Sequence, residues 1–167
     1  MASISDDLDR IADARAAYGV TQSRIRAGEP WDLATDFGTG PEADWGPREV
    51  LAHVAEMLPF WLDELERVVD GQPGPTAFGR VADDPIRTGR VERDRTLPLR
   101  VLFGRIDNGL RDWADRIAAL TDDERAAIGL HPRLGELTAE TILDRFVLGH
   151  VEEHIAQLEA ILVAGTD

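Results

Sequence analysis

The chain contains no cysteine, and none of its 18 basic residues is lysine. Without thiols there can be no disulfide, no thiolate metal ligand and no cysteine nucleophile. Without lysine there is neither a Schiff base nor a phosphate-loop lysine. Serine occurs only as Ser3, Ser5 and Ser23, all in the first helical segment, so no strand-turn-helix nucleophile elbow exists. No apolar run approaches the roughly 18 residues of a membrane span, and the opening MASISDDLDR is acidic with no apolar stretch behind it. Positive charge is scarce as well. Thirty-two acidic residues leave a net charge of -14, which repels phosphate backbones and anionic membrane surfaces. The expectation is a soluble cytoplasmic protein with a small-molecule substrate and neither nucleic acid nor membrane as partner. Histidines and carboxylates remain to carry any chemistry.

What is present reads as one all-α domain over residues 1–167. Four long segments repeat apolar residues with a period of 3.6, and none alternates with period two over a useful length. The first helix is expected from about Ser5 to Ala27, closed by Gly28, with Leu8, Ile11, Tyr18 and Ile25 on one face and Arg15 and Gln22 between them. The second opens with Pro47 and ends before Gly71, its stripe formed by Val50, Val54, Met57, Trp61, Leu65 and Val68. The third begins near Pro98 and carries an uninterrupted stripe from Leu99 to Leu120. TDDE at Thr121 to Glu124 fits a capping box for a short helical turn. The fourth helix is capped by Thr138 and runs to about Ala164. Helices of this length, each roughly 35–40 Å at 1.5 Å per residue, call for a four-helix bundle. The segment from Gly71 to Arg95 is too rich in Gly, Pro and charge for a bundle helix, yet long enough to make helices two and three parallel. It reads as a solvated crossover, with a cover over one mouth of the bundle as the alternative.

His150 and His154 stand four residues apart in LGHVEEHIAQLEAIL. At 100° per residue they share an arc of about 120° with Leu143, Phe146, Val147, Leu158 and Ile161. Gln157 falls in the same arc. Imidazoles at i and i+4 can share a metal, and two buried imidazoles are costly unless each polar nitrogen has a partner. Core histidines with hydrogen bonds are the competing reading. His53, beside the stripe of helix two, supplies a third imidazole from another bundle helix, and bundle interiors are where facing side chains build metal sites. His131, in the loop GLHPRLGEL, reads as loop chemistry rather than as a ligand. Glu56, one turn after His53, is a candidate base but points toward the outer edge, where a solvated glutamate is expected. Arg15 and Gln157 are candidates for a substrate pocket, although an ion pair or a snorkelling stem serves Arg15 equally well.

DWGPREVLAHVAEMLPFW, followed later by HPRLGELTAETILDRFVLGHVEEHIAQLEAIL, resembles the DinB-like (YfiT-like) metal-dependent four-helix-bundle superfamily, which includes mycothiol-dependent maleylpyruvate isomerases and bacillithiol transferases. The matching positions are Trp45, Pro47, Val50 and His53 at the opening of helix two, and His150 and His154 in helix four. The resemblance implies that these three histidines bind one divalent ion, nickel or zinc. It also implies an up-down-down-up bundle with a long crossover between helices two and three, and a homodimer. A three-histidine ion keeps an open position, where water or a thiol can lose its proton. With no cysteine in the chain, a thiolate has to arrive on a low-molecular-weight cosubstrate. A thiol S-transferase, as the resemblance implies, or a hydrolase is the leading expectation. A non-enzymatic metal- or ligand-binding stress protein is the alternative, and a helical dimer with plain core histidines is a third reading.

Overall fold

The computed structural model describes residues 3–38 and 42–165. Its first helix, α1 (Ile4–Ala27), opens on a capping box: the Ser3 hydroxyl accepts from the Asp6 N–H at 3.1 Å, and the Asp6 carboxylate accepts from the Ser3 N–H. Ile11, Ala14, Tyr18 and Ile25 are buried along one face. That stripe is thin, so charge fastens the helix as well. Arg10 donates to Asp144 at 2.7 Å and to Glu152 at 2.6 Å, and buried Asp7 accepts from Arg125 at 2.9 Å.

Helix α2 (Pro47–Asp70) starts at its proline and stops at Gly71, as the sequence predicts. Every residue from Val50 to Leu58 is buried, so this helix has no solvated face along two turns. Two of those residues, His53 and Glu56, are polar, and burial obliges both to find partners.

The segment after α2 departs from the solvated reading. It contributes strand β1 (Thr76–Ala77) and helix α3 (Pro85–Asp94), whose Asp84 cap accepts from the Arg87 N–H at 2.9 Å. Phe78, Arg87, Val91 and Asp94 are buried, and α3 packs against α2. The reason is pairing: Arg87 and Asp94 go inside because each meets an opposite charge.

Helix α4 (Leu99–Ala119) buries the predicted stripe. Trp113, fully enclosed, donates its indole N–H to the Leu58 carbonyl at 3.0 Å. The capping box at Thr121 starts the short helix α5 (Asp122–Arg125). Then comes a feature that an all-α reading leaves out. Strands β2 (Ile128–His131) and β3 (Gly135–Thr138) form an antiparallel hairpin, and β1 adds to it in parallel, pairing Thr76 with Gly129. Strands of two to four residues are too short for period-two alternation to register.

The last helical stretch comprises α6 (Ala139–Ile142), a π-helical segment over Leu143–Leu148 and α7 (Gly149–Ala164). The Gly149 N–H reaches back five residues to the Asp144 carbonyl. This wide turn shifts the face on which later side chains emerge, and such turns concentrate at functional sites. Thr138 caps α6, its hydroxyl accepting from the Thr141 N–H at 3.1 Å. Replacing Thr138 with alanine is expected to cost about 1 kcal/mol, read as a lowered urea midpoint at unchanged slope. The long helices pack in a ring, α1 on α4, α4 on α2, α2 on α7 and α7 on α1. No helix among the described residues is long and apolar enough to cross a membrane.

Candidate metal centre

His53 enters the bundle interior from the fully buried part of α2, one side of its ring against the edge of Trp45, with centroids 5.6 Å apart. His150 and His154 approach from α7. The three imidazole centroids lie 4.7 to 5.2 Å from one another. Glu42, in a one-turn 3-10 helix (Glu42–Asp44) ahead of α2, completes the group: one donor atom from each of the four residues lies within 4.8 Å of all the others.

Hydrogen bonds fix the state of His154. The Gln157 amide nitrogen donates to the Glu42 carbonyl at 2.8 Å, which leaves the amide oxygen to face His154 Nδ1 at 2.9 Å. That oxygen can only accept, so Nδ1 carries the proton and Nε2 keeps a free lone pair. His154 Nε2 is buried and has no partner among the described residues. An orphaned acceptor in a buried cluster of imidazoles is what a metal ligand looks like without its ion. The second distance agrees. Two imidazole nitrogens about 2.0–2.1 Å from a shared ion lie about 3.3–3.4 Å apart at the tetrahedral angle, and His53 Nε2 and His150 Nε2 are 3.3 Å apart. The residues present therefore fit a divalent cation.

Electrostatics favours the neutral, ligating form. Burial, chiefly, holds the pKa of His53 well below its ordinary value, with the Arg87 guanidinium next in effect. Burial and the neighbouring His154 bring His150 down to about 4. Burial also lowers His154, with the Gln157 hydrogen bond opposing it. Because these folded-state values lie below the ordinary 6.5, the unfolded chain binds more protons as pH falls, and stability rises with pH across that window. For His150 the window runs from about 4 to 6.5. In chelator, the urea midpoint is expected to rise with pH across this range, and less steeply in His150→Asn; equal slopes would contradict a neutral buried His150.

A cavity of about 280 Å³ opens beside His53 and His150, walled by Trp61, Phe146, Arg80 and Arg87. Trp61 and Phe146 stack at 4.5 Å. Glu56 is not the solvated residue its helical position suggests: it is buried and accepts from Arg80 at 2.7 Å, because the crossover folds back over this part of α2. The Arg80 guanidinium in turn lies 3.7 Å over the Phe60 ring.

The expected pocket residues separate. Gln157 is at the site, as a partner of His154. Arg15 pairs with Asp107 at 2.9 Å and lines a different cavity, between α1 and α4, with Tyr18, Gln22 and Phe103. His131, at the end of β2, stacks on Phe146, and its Nδ1 accepts from the Arg133 and Leu134 N–H groups; it stands outside the four-residue group. Glu42, Arg80 and Arg87 went unseen in the sequence reading. Each is one charged residue among many, off the periodic helices, and no spacing rule singles it out.

No curated protein matches the sequence. The family model described as the DinB superfamily matches residues 6–158, a span that holds all three clustered histidines, Glu42 and the whole crossover. The chain belongs to the DinB superfamily.

Proposed function

We propose that the protein is a metal-dependent enzyme in which His53, His150 and His154 hold one divalent ion, nickel or zinc, to activate a low-molecular-weight thiol cosubstrate or water. A thiol S-transferase is the form of this reading we favour. The observation that carries it is the buried Nε2 of His154, without a partner among the described residues, beside two further imidazoles that are held neutral. A bound ion supplies Lewis acidity, lowering the pKa of water toward about 7 or that of a thiol further.

The chain's own residues do the rest. Gln157 keeps the proton on His154 Nδ1, so that Nε2 is always available. Arg87 and Arg80 line the cavity wall, each paired with a carboxylate, Glu42 and Glu56 respectively. Trp61 and Phe146 give the cavity an apolar wall that limits water there. The proposal includes an up-down-down-up order for the four long helices, a homodimer and a cytoplasmic location.

Replacing Gln157 with leucine is expected to lower metal affinity about 10- to 100-fold while the fold persists, measured by chelator competition. The activity test mixes metal-loaded protein with an alkylating electrophile and a panel of cellular thiols. Thiol consumption above background that disappears in chelator supports the enzyme. No consumption with any thiol, alongside bound metal, favours the second reading, a metal-binding protein without turnover. Glu42 gives that second reading its footing, since a carboxylate within reach of the histidine nitrogens can close the open position.

A further inference from the structure

We infer that Glu42 is a fourth protein ligand of the ion held by the three histidines, and that Arg87 competes with the ion for it. The inference rests on the metal reading above and adds to it a gate at the open position.

Glu42 is placed for this by its backbone. Its carbonyl accepts from the Trp45 N–H at 3.1 Å and from the Gln157 amide at 2.8 Å. Gln157 thus ties the turn that carries Glu42 to the imidazole of His154. The Glu42 carboxylate is the acidic member of the four-residue group. Three neutral imidazoles leave a divalent ion its full charge, with the buried Arg87 guanidinium close by. Arg80 is already compensated by Glu56. A carboxylate ligand removes one of the two positive charges where that matters most.

Arg87 holds Glu42 in the structure and touches the site a second time. One of its guanidinium nitrogens donates to Glu42 Oε1 and lies 3.4 Å from His53 Nδ1. If His53 ligates through Nε2, its Nδ1 carries the proton and cannot accept from a guanidinium. Arg87 in this place therefore opposes both the ligating tautomer of His53 and the release of Glu42. Two further contacts tie Arg87 to the crossover: the Ala82 carbonyl, itself in the cavity wall, accepts from its other terminal nitrogen at 2.8 Å, and its backbone N–H donates to Asp84. Turning about the hydrogen bond to Ala82 would take the other terminal nitrogen away from Glu42 and His53 while the side chain stays attached to the crossover.

The test uses cobalt(II) alone as the probe, titrated into the full chain with affinity from chelator competition and coordination from visible absorption. The inference expects Glu42→Gln to bind cobalt at least tenfold more weakly, with a changed absorption band, and Glu42→Asp to be weakened too because its shorter carboxylate falls short. Arg87→Met is expected to bind at least as tightly as the parent. Circular dichroism and urea midpoints in chelator keep folding separate from binding. Affinities and spectra of both Glu42 variants indistinguishable from the parent, with binding lost in His150→Ala, overturn the inference and leave the three-histidine site standing. Weaker binding by folded Arg87→Met overturns the competition. No cobalt bound by the parent overturns both the inference and the reading beneath it.

Discussion

Truncating His154 to alanine is expected to remove the stabilisation that nickel or zinc gives the parent protein. An ion that binds only the folded state at 100 times its dissociation constant contributes about 2.7 kcal/mol. For a domain of this size that is a rise in Tm of about 5–10 °C. His154 should matter this much because its Nε2 is buried beside two further imidazoles with no partner among the described residues, while Nδ1 is spent on Gln157. His131 is the control. It is equally buried and stacked on Phe146, but it stands outside the ligand group. His131→Ala should lower stability with and without metal alike and keep the metal-dependent rise. Thermal melts of both variants in chelator and in excess metal decide the matter. A rise that survives in His154→Ala would remove that residue from the site.

The largest effect away from the site is expected at Arg125. Its guanidinium is buried between Asp7 of α1, at 2.9 Å, and Glu140 of α6, and thereby joins the first helix to the base of the helix that carries His150 and His154. Asp7 is only 2% exposed. Arg125→Met leaves that carboxylate in the interior without its counter-charge, and breaking a buried pair in this way costs about 3–5 kcal/mol. The double variant Asp7→Leu with Arg125→Met should recover much of the loss, since two apolar groups in place of a buried pair are often neutral. Urea denaturation of the two single variants and the double supplies the cycle. Additive losses would show that the two residues do not act as a pair.

The long helices were legible for a simple reason. Their burial is apolar and periodic, and Pro47, Gly28 and Gly71 mark ends that chain geometry enforces. The convergence of His53 with His150 and His154 followed from their position on inward faces. What stayed hidden is buried by charge. Helix α3 has a single buried aliphatic residue, Val91, flanked by Arg87 and Asp94, which go inside only because Glu42, Arg93 and Arg105 meet them. Hydrophobic periodicity cannot register such a helix. Glu56 misled for the same reason: its partner Arg80 lies 24 residues away, on a segment whose path no local pattern dictates. The π-helical turn before His150 breaks the constant 100° step on which a helical wheel depends. A carboxylate delivered by a one-turn helix, as Glu42 is, shares no face with the histidines in sequence.

Three of these residues lie in one place. The crossover brings Arg80 and Arg87 to the histidine cavity, and the turn before α2 brings Glu42. Segments that the apolar pattern leaves undefined thus furnish the charged wall of the site, while the defined helices furnish its imidazoles. Binding residues carried on the connections of a rigid scaffold are a common arrangement in proteins.

The most direct test of the central claim is the metal content of protein purified without a histidine tag, incubated with nickel or zinc and freed of unbound ion, measured by elemental analysis beside His150→Ala. A three-histidine metal centre predicts about one ion per chain in the parent and a marked drop in the variant. Less than about 0.1 ion per chain in the parent, or equal content in the two proteins, would contradict it.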